Sequence, residues 1–231
     1  MSRSSLEDLK RLEAMIVECR RCPRLVAYRE AIAATPRASY AAETYWGRPI
    51  PGFGDPRARV LLLGLAPAAH GGNRTGRIFT GDRSGDFLFA ALHRCGFAAT
   101  PTSVSRKDGQ KLTGCFISAA VRCAPPANRP TPAERDNCLP WAASELALLE
   151  HLRVVVCLGA FAWDAALRLQ TLAGFPPAPP RPRFGHGSEW QGERWTLLGS
   201  YHPSQQNTFT GKLTPAMIDA VLARATALAG Q

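Results

Sequence analysis

Four short apolar runs stand out along this 231-residue chain. They are RVLLLGL at 59–65, GCFISAAV at 114–121, RVVVCLG at 153–159 and RWTLLGSYH at 194–202. Each run is apolar almost without interruption, whereas a strand with one wet face alternates apolar and polar residues. Continuous apolar runs are typical of strands that are covered on both faces of a parallel sheet. The pattern therefore predicts four buried strands.

Segments with apolar residues at helical spacing lie before, between and after these runs. One covers the first twenty residues, with Leu6, Leu9, Leu12, Met15 and Ile16 in register, and the others cover 84–96, 131–151, 160–170 and 214–230. Strands that alternate with helices form βαβ units. We predict a three-layer α/β/α fold with a central four-stranded, mostly parallel sheet flanked by helices, in one domain spanning 1–231. The proline-rich stretch at 173–187 indicates an extended surface connection.

The loops that follow the strands are the natural place for a ligand, because open parallel sheets bind ligands beyond the carboxyl ends of their strands. These loops span 66–85, 122–131 and 202–214, and we expect them to gather at one edge of the sheet. The first belongs to the stretch GLAPAAHGGNRTGRIFTGDRSGDF at 64–87. A loop of this length without periodicity is more often functional than a simple connector.

The charge balance narrows the class of partner. Lys and Arg number 28 against 18 Asp and Glu, a formal charge of +10, which favours attraction to a polyanion such as nucleic acid. No run approaches the roughly 18 apolar residues of a membrane span. The N-terminal segment has no apolar signal-peptide core. We expect a cytoplasmic protein without a membrane partner.

The seven cysteines point to metal binding rather than disulfides. Thiols stay reduced in the cytoplasm, and an odd number cannot all pair. Cys19 and Cys22 form a C-x2-C pair, and Cys123 and Cys138 lie far downstream with fourteen residues between them. These four thiolates would suit zinc or an iron–sulfur cluster, and their spacing does not separate the two. Cys95, Cys115 and Cys157 lie inside apolar patterns and are expected to be ordinary core residues.

Three loop motifs and the CRRCPRL segment at 19–25 carry a resemblance to a known family. The motifs are GLAPAAHGGNRTGRIFTGDRSG at 64–85, AAVRCAPPANRPTPAERDNC at 119–138 and SYHPSQQNTFTGKLTP at 200–215. In this order they resemble the family 5 uracil-DNA glycosylases, over nearly the whole chain. The related family 4 enzymes carry a glutamate in the first motif, where this chain has Ala66. That departure favours family 5.

The resemblance implies an enzyme that flips and hydrolytically excises uracil, and other deaminated bases, from DNA without cutting the strand. It implies a structural [4Fe–4S] cluster on Cys19, Cys22, Cys123 and Cys138, and a monomer that acts on damaged DNA. The segment at 204–213 would enter the DNA at the lesion. Two other functions are compatible with parts of the sequence. A non-catalytic zinc protein would bind nucleic acid without releasing a base, whereas a nucleotide-processing enzyme is disfavoured because the glycine-rich loop lacks the Lys-Ser/Thr of a P-loop.

The resemblance also implies roles for individual residues. Asp82 would orient or activate the attacking water, His202 would donate to the uracil O2, and Asn128 would contact the base or the water. The other expected substrate-binding residues are Gly64, Ala66, Pro67, Ala68, Phe79, Asn73 and Arg74. Phe79 would stack on the base, and Arg77 and Lys212 are further candidates for DNA contacts.

Each of the main roles has a purely structural alternative. Asp82 precedes a predicted helix and could act only as its cap, beside Ser84. Phe79 could be an apolar anchor, His202 a core histidine, and Asn128 a turn residue next to prolines.

Overall fold

The computed structural model describes residues 3–230 of the chain. The strands are β1 (Phe53–Gly54), β2 (Val60–Gly64), β3 (Cys115–Ala119), β4 (Val154–Leu158), β5 (Glu189–Gln191) and β6 (Thr196–Ser200). The helices are α1 (Arg3–Val17), α2 (Pro23–Ala34), α3 (Gly72–Thr75), α4 (Arg83–Arg94), α5 (Pro132–Leu148), α6 (Ala160–Leu172), α7 (Gln205–Phe209) and α8 (Pro215–Gly230).

The strands form one six-stranded sheet in the order β1-β3-β2-β4-β6-β5. The inner four pair in parallel, with Gly64 opposite Ala119 and Leu158 opposite Ser200, so their carboxyl ends share one edge. The outer strands β1 and β5 pair antiparallel with β3 and β6. The three-layer fold and its four buried strands are confirmed, but the expected four-stranded sheet is widened by two edge strands. Strands of two or three residues have no hydrophobic pattern long enough to recognise.

Alternate residues of the inner strands pack into two separate hydrophobic cores, one on each face of the sheet. In β2, Val60 and Leu62 face the core beneath α4 and α8, whereas Leu61 and Leu63 face the core beneath α1, α5 and α6. All of β2, β3 and β4 is buried, because helices cover both faces. This double cover accounts for the absence of polar alternation in the sequence.

The helices begin and end close to the predicted positions, with two differences at the N-terminal end. The first helix ends at Val17 rather than continuing to residue 20, and a second helix, α2, begins at Pro23, directly after Cys22. Proline at the first helical position is favourable since its missing N–H has no helical partner there. At α5, Thr131 and Glu134 form a reciprocal capping box that sets the start of the helix.

Two further features bear on the expectations from sequence. The proline-rich connection has neither helix nor strand between residues 175 and 188. Within residues 3–230, no helix combines the length and the apolar character needed to cross a bilayer.

Candidate active site

The three loops at the carboxyl edge of the sheet enclose one cavity of about 450 Å³. The loop after β2 contributes Ala66, Ala68, Phe79 and Asp82, the loop after β3 contributes Asn128, and the segment after β6 contributes His202. These residues are up to 136 positions apart in the chain, and only the parallel sheet brings them together. The remaining lining residues are Leu65, Ile78, Arg83, Ser84, Ser204, Gln205 and Gln206.

Phe79 lies in the cavity wall in a strained backbone conformation. Its φ is +49°, which is rare for a bulky side chain, and its side chain is largely buried. Two glycines leave room for it. A Cβ on Gly64 would come within 2.9 Å of the Phe79 ring, and a Cβ on Gly85 within 2.1 Å of the Phe79 carbonyl oxygen. Strain held in place by such packing is characteristic of functional sites.

Asp82 both caps helix α4 and lines the cavity. Oδ1 accepts a hydrogen bond from the backbone N–H of Gly85 at 2.9 Å, so Asp82 caps α4, as its structural alternative predicts. Oδ2 lies against Gly71, where a Cβ would come within 1.9 Å of it. Burial raises the pKa of the Asp82 carboxyl above its usual value, and hydrogen bonds from Gly85 and Ser84 oppose the rise. The capping role of Asp82 is thus compatible with its place in the lining of the cavity.

His202 lies beside Phe79, and both line the cavity. Burial lowers the pKa of His202 to about 4, so its imidazole is neutral at physiological pH. A neutral imidazole carries one N–H donor and one acceptor. The backbone around it is held by Asn207, whose Nδ2 donates to the His202 carbonyl oxygen at 2.8 Å. The site thus offers an uncharged donor in a poorly solvated position.

Asn128 sits on an exposed and irregular turn. Its φ is +55° and that of Ala127 is +52°, so two successive residues adopt the left-handed conformation. Asn adopts this conformation more readily than most residues, which agrees with the turn alternative. The turn nevertheless brings Asn128 to the cavity, which Gln205 also lines.

Some predicted substrate-binding residues lie behind the cavity rather than in its wall. Gly64 supports Phe79 from below, and Pro67 packs against Gly72, where a Cβ would come within 3.0 Å of it. Asn73 is fully buried, and its side-chain amide donates to the carbonyl of Arg29. Arg77 is also buried, in an ion pair with Asp108. A direct contact with DNA would require this segment to unfold, so we correct that expectation for Asn73 and Arg77.

Arg74 and Lys212 have positions between these extremes. The Arg74 guanidinium pairs with Glu43, donates to the carbonyl of Gly81 at 2.8 Å and lies 4.0 Å over the Tyr40 ring. It therefore holds the loop together while reaching a neighbouring groove. Lys212 is exposed, with its ammonium 4.9 Å from the Tyr201 ring.

Sequence reasoning missed the groove that adjoins the cavity. It shares Ala68, Asp82, Arg83, Asn128 and Gln205 with the cavity and extends it past Tyr28, Arg37, Tyr40 and His70. Arg83 is exposed and lines both spaces. Its place next to Asp82 in the loop was a signal for it. Tyr40 and His70 stack with ring centroids 6.5 Å apart, and no motif in the sequence connects these two residues.

The four expected metal-binding cysteines come together next to α2. Cys19, Cys22, Cys123 and Cys138 line one small internal space. N–H donors approach three of the sulfurs, from Trp141 to Cys19, from Arg29 to Cys123 and from the Arg122 backbone to Cys138, at 3.1–3.3 Å. The Asn137 side chain hydrogen-bonds the fourth, at Cys22. Thiol sulfur is a weak acceptor, so donors on every sulfur fit thiolates that carry charge.

The protonation of these cysteines also depends on what they bind. Burial raises the pKa of Cys123 to about 11 and that of Cys138 to about 12. As free residues they would stay protonated, and a metal group would have to displace the protons. Among the residues that the structure describes, no three His, Cys, Asp or Glu side chains are grouped closely enough to hold one metal ion. Four cysteine sulfurs around one space are a donor set that suits zinc or an iron–sulfur cluster.

The cavity has three groups that could bind a planar ring and act on a bond to it. Phe79 supplies an aromatic surface, His202 a neutral donor and Asp82 a carboxylate with a raised pKa. A carboxylate and a donor that line the same cavity can act on the two ends of one breaking bond, with hydrogen bonds strengthened by low solvation.

Comparison with known proteins shows the family of the chain. A sequence model described as the Uracil DNA glycosylase superfamily matches residues 51–226. A "Type-5 uracil-DNA glycosylase" of Mycobacterium bovis is 56% identical over 221 residues, 95% of this chain and 81% of that protein. Proteins with the same description from Mycobacterium leprae and Thermus thermophilus are 52% and 50% identical, covering 96% and 93% of this chain and 96% and 95% of their own. The chain belongs to the uracil-DNA glycosylase superfamily, and the resemblance to its family 5 is confirmed.

Proposed function

We propose that the protein hydrolyses the N-glycosidic bond of uracil in DNA, releasing the free base and leaving an abasic site in an intact strand. The observation that carries this is the convergence of Phe79, Asp82 and His202 on one cavity at the carboxyl edge of the sheet. The names of the relatives support the reaction, and the geometry supports the roles.

The base must leave the duplex before it can be attacked. Flipping costs a few kcal/mol of unstacking, which contacts in the pocket must offset. Phe79 supplies such a contact, because its largely buried ring presents an aromatic face to the cavity. The small side chains of Ala66 and Ala68 leave the opposite space open.

Bond cleavage then divides between His202 and Asp82. As the bond between C1′ and N1 breaks, its electrons move onto the base, and the N–H of neutral His202 stabilises the charge that develops on O2. The Asp82 carboxylate accepts a hydrogen bond from the attacking water and directs the water oxygen to C1′. The water proton that is lost passes to the carboxylate, whose raised pKa makes it a better acceptor than an ordinary aspartate. Asn128, at the rim, would orient the base or the water.

The range of bases follows from the space available. The cavity volume of about 450 Å³ is within the range of pockets for ligands larger than one pyrimidine ring. We propose that deaminated purines also enter, since no bulky side chain replaces Ala66 or Ala68.

DNA would approach across the edge that carries the cavity. Phe209, in α7, is 72% exposed, the most exposed of the large apolar side chains that the structure describes. It follows Gln205 and Gln206, which line the cavity. The segment at 204–213 therefore presents an apolar side chain that could fill the gap a flipped base leaves. Arg83 and Lys212 would contact phosphates.

A [4Fe–4S] cluster is proposed on Cys19, Cys22, Cys123 and Cys138. The proposal is supported by the four sulfurs, which share one space and each receive an N–H donor, and by the names of the relatives. When bound, the cluster would supply a structural crosslink between the N-terminal helices and the loop after β3, and the excision chemistry does not use it. The role of the protein in base excision repair would begin and end with release of the base.

The decisive experiment uses a duplex with one labelled uracil. We expect release of free uracil and strand breaks that appear only after alkali, which marks abasic sites. Binding without base release would instead indicate a non-catalytic nucleic-acid-binding protein. Strand breaks without alkali would contradict a monofunctional glycosylase.

A further inference from the structure

We propose that Asn73 is a positioning residue that fixes the Asp82 loop onto helix α2, the helix whose Arg29 also contacts the sulfur of Cys123. The inference rests on the proposed function for its kinetic consequence, but its structural part can be tested without activity. It gives Asn73 a role that differs from contact with DNA.

Asn73 has no access to solvent and contacts three separate parts of the chain. Its side-chain Nδ2 donates to the Arg29 carbonyl oxygen at 3.2 Å. Its backbone N–H donates to Ala68 at 3.0 Å, and its carbonyl accepts from Gly47 at 3.1 Å. The side chain therefore joins α2 to the short helix α3, in the middle of the loop that follows β2.

The residues next to Asn73 contact the segment that carries Asp82. Arg74 donates to the carbonyl of Gly81, directly before Asp82, and the Thr75 hydroxyl lies 3.2 Å from the carbonyl of Thr80. Gly71 lies so close to Asp82 that a Cβ there would come within 1.9 Å of Oδ2. A shift of α3 would displace the carboxylate.

The other end of the connection is Arg29. Its side chain is 2% exposed and its Nη1 lies 3.1 Å from Cys123 Sγ and 3.3 Å from the Cys19 carbonyl oxygen. Arg29 thus contacts the Cys123 sulfur with its side chain and Asn73 with its backbone carbonyl. This arrangement links the cysteine region to the catalytic loop through the buried hydrogen bond between Asn73 and Arg29.

Gln170 provides a matched control elsewhere in the fold. It is also fully buried, and its Nε2 donates to the Trp195 carbonyl at 2.7 Å. Among residues 3–230, its amide oxygen, like that of Asn73, has no hydrogen-bond partner. It lies in α6 and does not line the cavity. Loss of either amide removes the same kind of bond.

The test compares Asn73→Ala and Gln170→Ala in the full, metal-loaded chain. We expect similar losses of thermal stability, but a fall in single-turnover excision on the order of 10²-fold for Asn73→Ala alone, because misplacement of a catalytic group has effects of that size. Affinity for abasic-site DNA should change little. Equal effects of the two variants on excision would overturn the proposal.

Hydrogen–deuterium exchange separates this inference from the proposed function. In Asn73→Ala the amides at 71–85 should exchange faster, while those of β4 and α6 stay protected. Unchanged exchange at 71–85 would overturn the positioning role even in a chain that releases uracil. If Asn73→Ala does not fold, two other variants replace it: Asn73→Ser, which keeps a donor, and Asn73→Gln, which moves the amide. Faster exchange at 71–85 in either variant would support the proposal. Normal excision and normal exchange in both would overturn it. Failure of the wild-type chain to release uracil would instead contradict the function alone.

Discussion

The rings of Phe79 and His202 lie with centroids 5.9 Å apart and planes inclined by 36°. Two stacked contacts would need about 7 Å between outer rings, because carbon atoms in contact are about 3.5 Å apart. A base therefore does not fit between the two rings as they stand. Phe79 would cover a face of the base, while His202 meets its edge, which is where a carbonyl oxygen accepts a hydrogen bond.

His202→Ala should lower single-turnover excision of uracil by about 10²- to 10³-fold, the effect of removing one preorganised donor. Affinity for abasic-site DNA should stay near that of the wild type, since the donor acts on the leaving base. Rapid-quench measurement of base release at saturating enzyme is the test. A loss of affinity with a normal rate constant would mean that His202 only binds.

Asp82→Asn separates catalysis from capping, because Asn and Asp cap helices about equally well. A carboxyl with a raised pKa is destabilising once ionised, since its contribution to stability is lost as pH rises through that pKa. At neutral pH the variant should therefore unfold at the same or a higher temperature, while excision falls on the order of 10²-fold or more. Asp82→Ala, which removes the cap as well, should lose about 1 kcal/mol of stability. Normal excision by Asp82→Asn would leave Asp82 as a cap.

The pH profile of excision should have an acid limb that belongs to Asp82. The carboxylate must be ionised to accept a proton, so the rate should fall as pH falls through a pKa above the usual value of 3.8. His202, with a pKa of about 4, stays neutral over the range above it and should not add a second ionisation there. Single-turnover rates from pH 5 to 9 on uracil duplex, with Asp82→Asn as comparison, test this. An acid limb that survives in Asp82→Asn would assign it to another group.

Cys138→Ser should remove the visible absorbance and the iron of protein purified without air, and should destabilise the fold, because α5 would lose its link to the N-terminal helices. Cys95→Ser is the matched control, since Cys95 lies away from the other four at the end of α4. Iron and zinc analysis of both variants provides the measurement. Zinc in place of iron in the wild type would contradict the cluster, and equal metal loss in both variants would contradict the choice of cysteines.

Arg83→Ala should weaken binding to undamaged duplex and make it less sensitive to salt. Each phosphate that a protein neutralises contributes about −0.9 to the slope of log affinity against log salt, so the slope should become shallower by about that amount. Arg57→Ala is a suitable control, because Arg57 lies before β2, at the opposite end of the strands. An unchanged slope would place Arg83 outside the phosphate contacts.

The strands and the main helices were predictable because their signals are local. A strand buried on both faces is apolar along most of its length, and this pattern predicted the four inner strands. The observed strands begin and end within two residues of the predicted runs at 59–65, 114–121, 153–159 and 194–202. The edge strands β1 and β5 escaped notice, since two or three residues paired on one side have no such pattern. The helices α3 and α7 are also short, with four and five residues, and they lie within the loops.

The sequence by itself determined the layered α/β architecture, the basic character, and the residue types available for chemistry, because hydrophobic spacing and composition are properties of the chain alone. Only the tertiary structure decided which of these residues share a cavity. Asp82, Asn128 and His202 meet because parallel strands end at one edge, while Asn73 and Arg77, from the same loop as Asp82, turn inward to bind Arg29 and Asp108. Residues in an irregular loop have no period to indicate which side faces solvent, so the side each one takes is set by contacts with distant parts of the chain.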